Sequence, residues 1–145
     1  MKIIVINGPN INLLGIREKD IYGSMTYEGI LELIYRESRS MGIDVDVFQS
    51  NSEGDLIDKI QDARNIYDGI IINPGGYSHY SIAIHDALKG INIPSIEVHI
   101  SNIYAREDFR QVSVTAKACE AQISGMGVYG YILAIYGIKN ILKNR

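Results

Sequence analysis

Short β-branched runs alternate with stretches of helical period along this chain, and that alternation limits its possible folds more than any other feature. Lys2 to Asn7 is a compact apolar run that reads as a central strand. Gly69 to Asn73 is the most apolar run and stops abruptly at Pro74-Gly75-Gly76. Pro94 to Ile100 is a third such strand, and a weaker one lies within Ala118 to Ser124. Ile43 to Gln49 sets Val45 and Val47 against Asp44 and Asp46, the pattern of a half-exposed strand near a sheet edge. Between the strands, helices are expected from a Thr26 cap to about Met41, from Asp55 to about Asn65, from about His79 to Lys89, and from Tyr131 to Lys143. Gly42 is placed to end the first of them.

Strands separated by helices imply a parallel sheet covered on both faces, with right-handed crossovers. Five strands in 145 residues predict one α/β domain spanning residues 1–145, a flavodoxin-like doubly wound five-stranded parallel sheet. Two connections fall outside this rhythm. Gly8 to Ser24 is a long segment without clear period, the kind that forms binding loops. Ser101 to Gln111 is polar and irregular or helical, and a helix there would put Arg106 and Arg110 on one face.

Charge narrows the partners. Seventeen acidic residues against 14 Lys and Arg give a net charge of −3, with no basic run, which speaks against nucleic acid and anionic membranes. No apolar stretch reaches the ~20 residues a spanning helix needs. The N-terminal apolar run is too short for a secretory signal, and Cys119 is the sole cysteine, so a cytoplasmic protein is expected.

In doubly wound folds, ligands bind beyond the carboxyl ends of the strands. That rule gathers Asn7-Gly8-Pro9-Asn10, Asn73-Pro74-Gly75-Gly76 with His79, and Glu97 to Asn102 onto one edge. No G-x-G-x-x-G or G-K-[ST] motif is present, and the three histidines and one cysteine lack metal-ligand spacing. A receiver-type phosphoacceptor would want Asp where Asn73 stands. No nucleophile elbow occurs, and the lysines read as surface positions, which disfavours a Schiff base. The remaining acid–base candidates are Tyr22, His79, Glu97 and His99, with Arg17, Arg106 and Arg110 as cations. Taken singly, Tyr22 fits ordinary packing and His99 a half-buried loop contact better than they fit catalysis, while Arg106 and Arg110 fit a solvated face equally well.

Together, these residues resemble a known family. Asn7 to Glu18 is similar to the opening motif of the type II 3-dehydroquinases. Phe48 to Gly54, Ile71 to His79, and Ile96 to Asn102 with Ala105-Arg106-Glu107 and Phe109-Arg110 match further motifs, and Gly125, Gly127 and Gly130-Tyr131 the closing segment. The resemblance implies dehydration of 3-dehydroquinate to 3-dehydroshikimate through an enolate, in the shikimate pathway, without metal, other cofactor or Schiff base. It implies Tyr22 as the base, Arg17 as its electrostatic partner, His99 as the acid, and Asn10 holding a water at the enolate oxygen. Asn73, His79 and Arg110 are implied as ligands of substrate hydroxyls, and Ile100 and Ser101 as the carboxylate cradle. Asp86 resembles a residue that reaches a neighbouring subunit's site, within a homododecamer built as a tetramer of trimers. Glu97 is implied to orient His99, and Arg106 to support the charged tyrosinate. Tyr104, Gly76 and His85 depart from the residues common at their positions (histidine, alanine and arginine). Two further readings stay open at this level: a non-catalytic module holding a small anion, and an interaction protein whose glycine-rich loop is a connector.

The chemistry accounts for the residue types. A free phenol ionises near pH 10, so a phenolate base at neutrality needs about 4 kcal/mol of stabilisation. One cation ~4 Å away at an effective dielectric of ~20 supplies about that much. Imidazole, with an ordinary pKa of ~6.5, is suited to donating a proton to a departing hydroxyl.

Overall fold

A computed structural model describes residues 1–145. The elements run β1 (Lys2–Asn7), α1 (Lys19–Tyr22), α2 (Tyr27–Ser40), β2 (Asp44–Gln49), α3 (Glu53–Asp62), β3 (Gly69–Asn73), α4 (Ile82–Ile91), β4 (Ser95–His99), β5 (Ala121–Ser124) and α5 (Tyr129–Lys143). All five strands are parallel, in the order β2-β1-β3-β4-β5. This is the expected flavodoxin-like doubly wound sheet, with β2 at the edge and β1 inside. No helix is long and apolar enough to cross a membrane.

Strand periodicity divides the core between the two faces. Ile3, Val5, Ile71 and Val98 pack with Ile30 and Ile34 of α2 and Ile135 and Ile138 of α5. Ile4, Ile6, Ile70 and Ile72 pack with Leu56 and Ile60 of α3 and Ile84 and Leu88 of α4. Near-continuous apolar strands are therefore required, because both faces are covered.

Helix starts follow local capping. Thr26 Oγ1 accepts the Gly29 amide at 3.1 Å, as expected. Ser52 caps α3 and Ser81 caps α4 in the same way. These caps correct two expected boundaries. The helix after β2 begins at Glu53 rather than Asp55, and ends at Asp62 with a 3₁₀ turn over Ala63–Asn65. The helix expected from His79 begins at Ile82, because Gly75–His79 is a 3₁₀ turn in which Ser78 Oγ donates to the Gly75 carbonyl. Arg106 and Arg110 share no helix: residues 101–111 carry separate 3₁₀ turns over Ile103–Ala105 and Asp108–Arg110.

The register pairs Asn7 with Gln49 on one side and Asn73 on the other, which aligns three strand ends at one edge. Gly8 lets the loops after β1 and β3 meet. A Cβ there would lie 2.5 Å from the Pro74 carbonyl oxygen, a contact no side chain tolerates. Beneath this junction Tyr131 of α5 is fully buried. Its hydroxyl donates to Asn7 Oδ1 at 2.7 Å and accepts from Asn73 Nδ2 at 2.9 Å. Replacing Tyr131 by Phe keeps the ring and strands both amide groups. The expected loss is about 1–3 kcal/mol of unfolding free energy, measurable by urea titration; unchanged stability would show that neither bond matters.

Candidate active site

The strand ends and the long first loop form the walls of a cleft. Arg17, Arg106 and Arg110 line it, and no Asp or Glu does. A cleft with three guanidinium groups and no lining carboxylate is built for an anion. Asn10, Tyr22, Asn73, His79, His99, Ile100 and Ser101 complete the sequence-derived candidates on its wall.

The loop carrying Tyr22 is bent by left-handed residues, with Asn10 at φ 68° and Glu18 at φ 42°. Its base is tied to the end of β2. Gln49 Nε2 donates to the Gly8 carbonyl at 3.2 Å, and Asn51 Oδ1 accepts the Asn10 amide at 3.1 Å. Helix α1 then presents Tyr22, half-buried, between two guanidinium groups. Arg17 lies 5.0 Å and Arg106 5.4 Å from the ring centre. The cation on the phenol oxygen is Arg106, whose Nη1 donates to it at 2.8 Å and also reaches Ser101 Oγ at 3.3 Å. Arg17, expected as the principal partner, stands over the ring, donates from Nη1 to Glu18, and keeps its buried Nε without an acceptor.

Across the cleft, His99 Nε2 meets Glu97 Oε1 at 2.6 Å, so a neutral ring carries its proton on Nε2. Glu97 is fully buried behind His99 and does not line the cleft. Burial alone would raise its carboxyl pKa. The hydrogen bond and charge of His99, with the hydroxyls of Ser113 and Thr115, outweigh that and hold it below the ordinary carboxylate range. A depressed folded-state pKa stabilises the fold at neutral pH, and that contribution is lost as pH falls through the lowered value. Glu97→Gln is therefore expected to be less stable than the parent at pH 7, with the gap closing as urea titrations are taken into strong acid. A gap independent of pH would contradict this.

His79 Nδ1 donates to the Val112 carbonyl at 2.8 Å. Burial, then the neighbouring His99 and Arg110, hold its pKa below the ordinary imidazole value against the pull of that carbonyl. The His79 and His99 rings lie 6.4 Å apart at 22°. Asn73 is buried, with Oδ1 accepting the Gly75 amide and Nδ2 bonded to Tyr131. Asp86 lies apart from the cleft, exposed on α4 and paired with His85 at 2.9 Å.

Sequence reasoning overlooked the groups behind this wall: Ser113, Thr115 and Gln122 around Glu97, and Tyr131 under the two asparagines. Their only trace is Tyr131, which stands in the closing motif without a role. Of the departures, Tyr104 donates to Gln122 Oε1 at 2.5 Å, and a Cβ at Gly76 would meet nothing within 4 Å.

The family model described as dehydroquinase class II matches residues 1–139. A 3-dehydroquinate dehydratase of Clostridium acetobutylicum is 61% identical over 143 residues, 99% of this chain and 99% of that one. A 3-dehydroquinate dehydratase of Thermotoga maritima is 52% identical over 143 residues, 99% of this chain and 98% of that one. The crystal structure of type II dehydroquinase from Butyrivibrio crossotus superposes with a TM-score of 0.95 at 55% identity, covering 96% of this chain and 97% of that chain.

Proposed function

The chain belongs to the dehydroquinase class II family, and from that membership we propose how its cleft works. The protein is a hydro-lyase of the shikimate pathway that removes water from 3-dehydroquinate. Residues 1–145 act as one catalytic unit, and the product is 3-dehydroshikimate.

Tyr22, as phenolate, takes the proton beside the ketone, leaving an enolate. Arg106 and Arg17 stabilise the phenolate, Arg106 through its bond to the oxygen. Asn10 holds a water at the developing enolate oxygen. His99, as an imidazolium whose Nε2–H stays on Glu97, then gives its Nδ1 proton to the departing hydroxyl, which leaves as water, and the enolate collapses to the conjugated ketone. Asn73, His79 and Arg110 bind the ring hydroxyls, while the Ile100–Ser101 backbone and the Ser101 hydroxyl hold the carboxylate. Glu97 orients His99. Exclusion of water by the loop carrying Tyr22 strengthens each of these charges.

The observation that carries this reading is the pairing of a guanidinium-bonded phenol with a carboxylate-bonded imidazole on the wall of one cationic cleft. The test is direct. Purified protein mixed with 3-dehydroquinate and a chelator is expected to produce the ultraviolet absorbance of the conjugated product. Binding without absorbance change would favour a non-catalytic anion module.

We further propose a cytoplasmic homododecamer, a tetramer of trimers, in which Asp86 reaches a neighbouring copy's cleft. Tyr80, Ile82 and Phe109, exposed at 65%, 68% and 67%, provide apolar surface for such contacts. An active monomer by light scattering would reject it.

A further inference from the structure

We infer that Ser113, Thr115 and Gln122 are positioning residues for His99, acting through the carboxylate of Glu97; the inference rests on the proposed role of His99 as acid. Glu97 Oε1 accepts from His99 Nε2 at 2.6 Å, Ser113 Oγ at 2.6 Å and Gln122 Nε2 at 3.1 Å, and Oε2 accepts from Thr115 Oγ1. A carboxylate oxygen offers about two such positions, so Oε1 is fully engaged by its three donors and Oε2 is tied by one. The carboxylate cannot swing without breaking a bond, and the imidazole it holds cannot rotate or exchange tautomers freely. Ser113 is itself locked, because its Oγ accepts the Ala116 amide at 3.1 Å.

The same short segment reaches the second histidine. The Val114 amide donates to the Ser78 carbonyl at 2.8 Å, and the Val112 carbonyl receives His79 Nδ1. Residues 112–115 thus set both imidazoles of the cleft from behind while lining none of it. A purely structural role is a poor account of this cluster. A buried ionised group is weak evidence for stability, and apolar side chains would fill the same space at lower cost. The one hydrogen bond by which Glu97 reaches a cleft residue is that with His99.

The test uses Thr115→Val, which removes the hydroxyl at nearly constant volume, and Thr115→Ser, which retains it. In the absorbance assay, Thr115→Val is expected to lower kcat about 10- to 100-fold with KM within about twofold, since small misplacements of an acid cost that much. Thr115→Ser is expected to keep most of the activity. Added to His99→Ala, Thr115→Val is expected to leave the residual rate unchanged, because its effect passes through the missing imidazole. Should Thr115→Val fail to fold, Gln122→Met on β5 provides the same comparison. A drop in thermal stability with unchanged kcat overturns the inference, as does an equal fold-loss in the His99→Ala background. Wild-type turnover by His99→Ala itself overturns the acid assignment and this inference with it. Collapse of His99→Ala beside an unaffected Thr115→Val overturns this inference alone.

Discussion

Tyr22→Phe is expected to lower kcat about 10³-fold, about 4 kcal/mol of barrier, while KM changes by less than about threefold. The substitution deletes one oxygen from a half-buried loop side chain and leaves the ring between its two guanidinium groups. The bond lost from the fold is the one from Arg106 Nη1, and Arg106 retains its contact with Ser101. Melting temperature is therefore expected to hold, and the defect to fall on the proton-abstraction step. Steady-state kinetics with a parallel thermal melt separates these outcomes. Near-wild-type turnover would reject Tyr22 as the base.

The second large effect ranks the two cations. Arg106→Ala is expected to lower kcat about 10²- to 10³-fold, because it removes the cation bonded to the oxygen that must carry the phenolate charge. Arg17→Ala is expected to cost less, because Arg17 stands over the ring and shares its Nη1 with Glu18 instead of bonding the phenol oxygen. Arg106→Lys should recover only part of the rate. An ammonium is a more strongly hydrated point charge and cannot reproduce the guanidinium geometry that spans Tyr22 and Ser101. Kinetics of the three variants under one set of conditions decides the order. A larger loss in Arg17→Ala than in Arg106→Ala would return the principal role to Arg17.

Much of the fold was legible before the structure because its signals are local. Ile3 to Ile6 and Ile70 to Ile72 read as doubly covered strands, and both are buried throughout. Thr26 read as a cap and accepts the amide it should. The errors fall where a turn competes with helical period. Ser81, not His79, starts α4, because Gly75–His79 closes first as a 3₁₀ turn. The spacing of Arg106 and Arg110 suggested one helical face, yet short turns bring both to the cleft.

Periodicity, caps and strand-end residues determined the strands, the helices between them and the edge at which Asn10, Asn73, His79 and His99 gather, since each acts over a few neighbouring positions. Folding alone decided which guanidinium bonds the phenol, because Tyr22 and Arg106 stand 84 residues apart and no local pattern carries that distance. It alone surrounded Glu97 with donors from three separate stretches of chain, since a buried carboxylate is satisfied by whatever the packed core brings within hydrogen-bond reach.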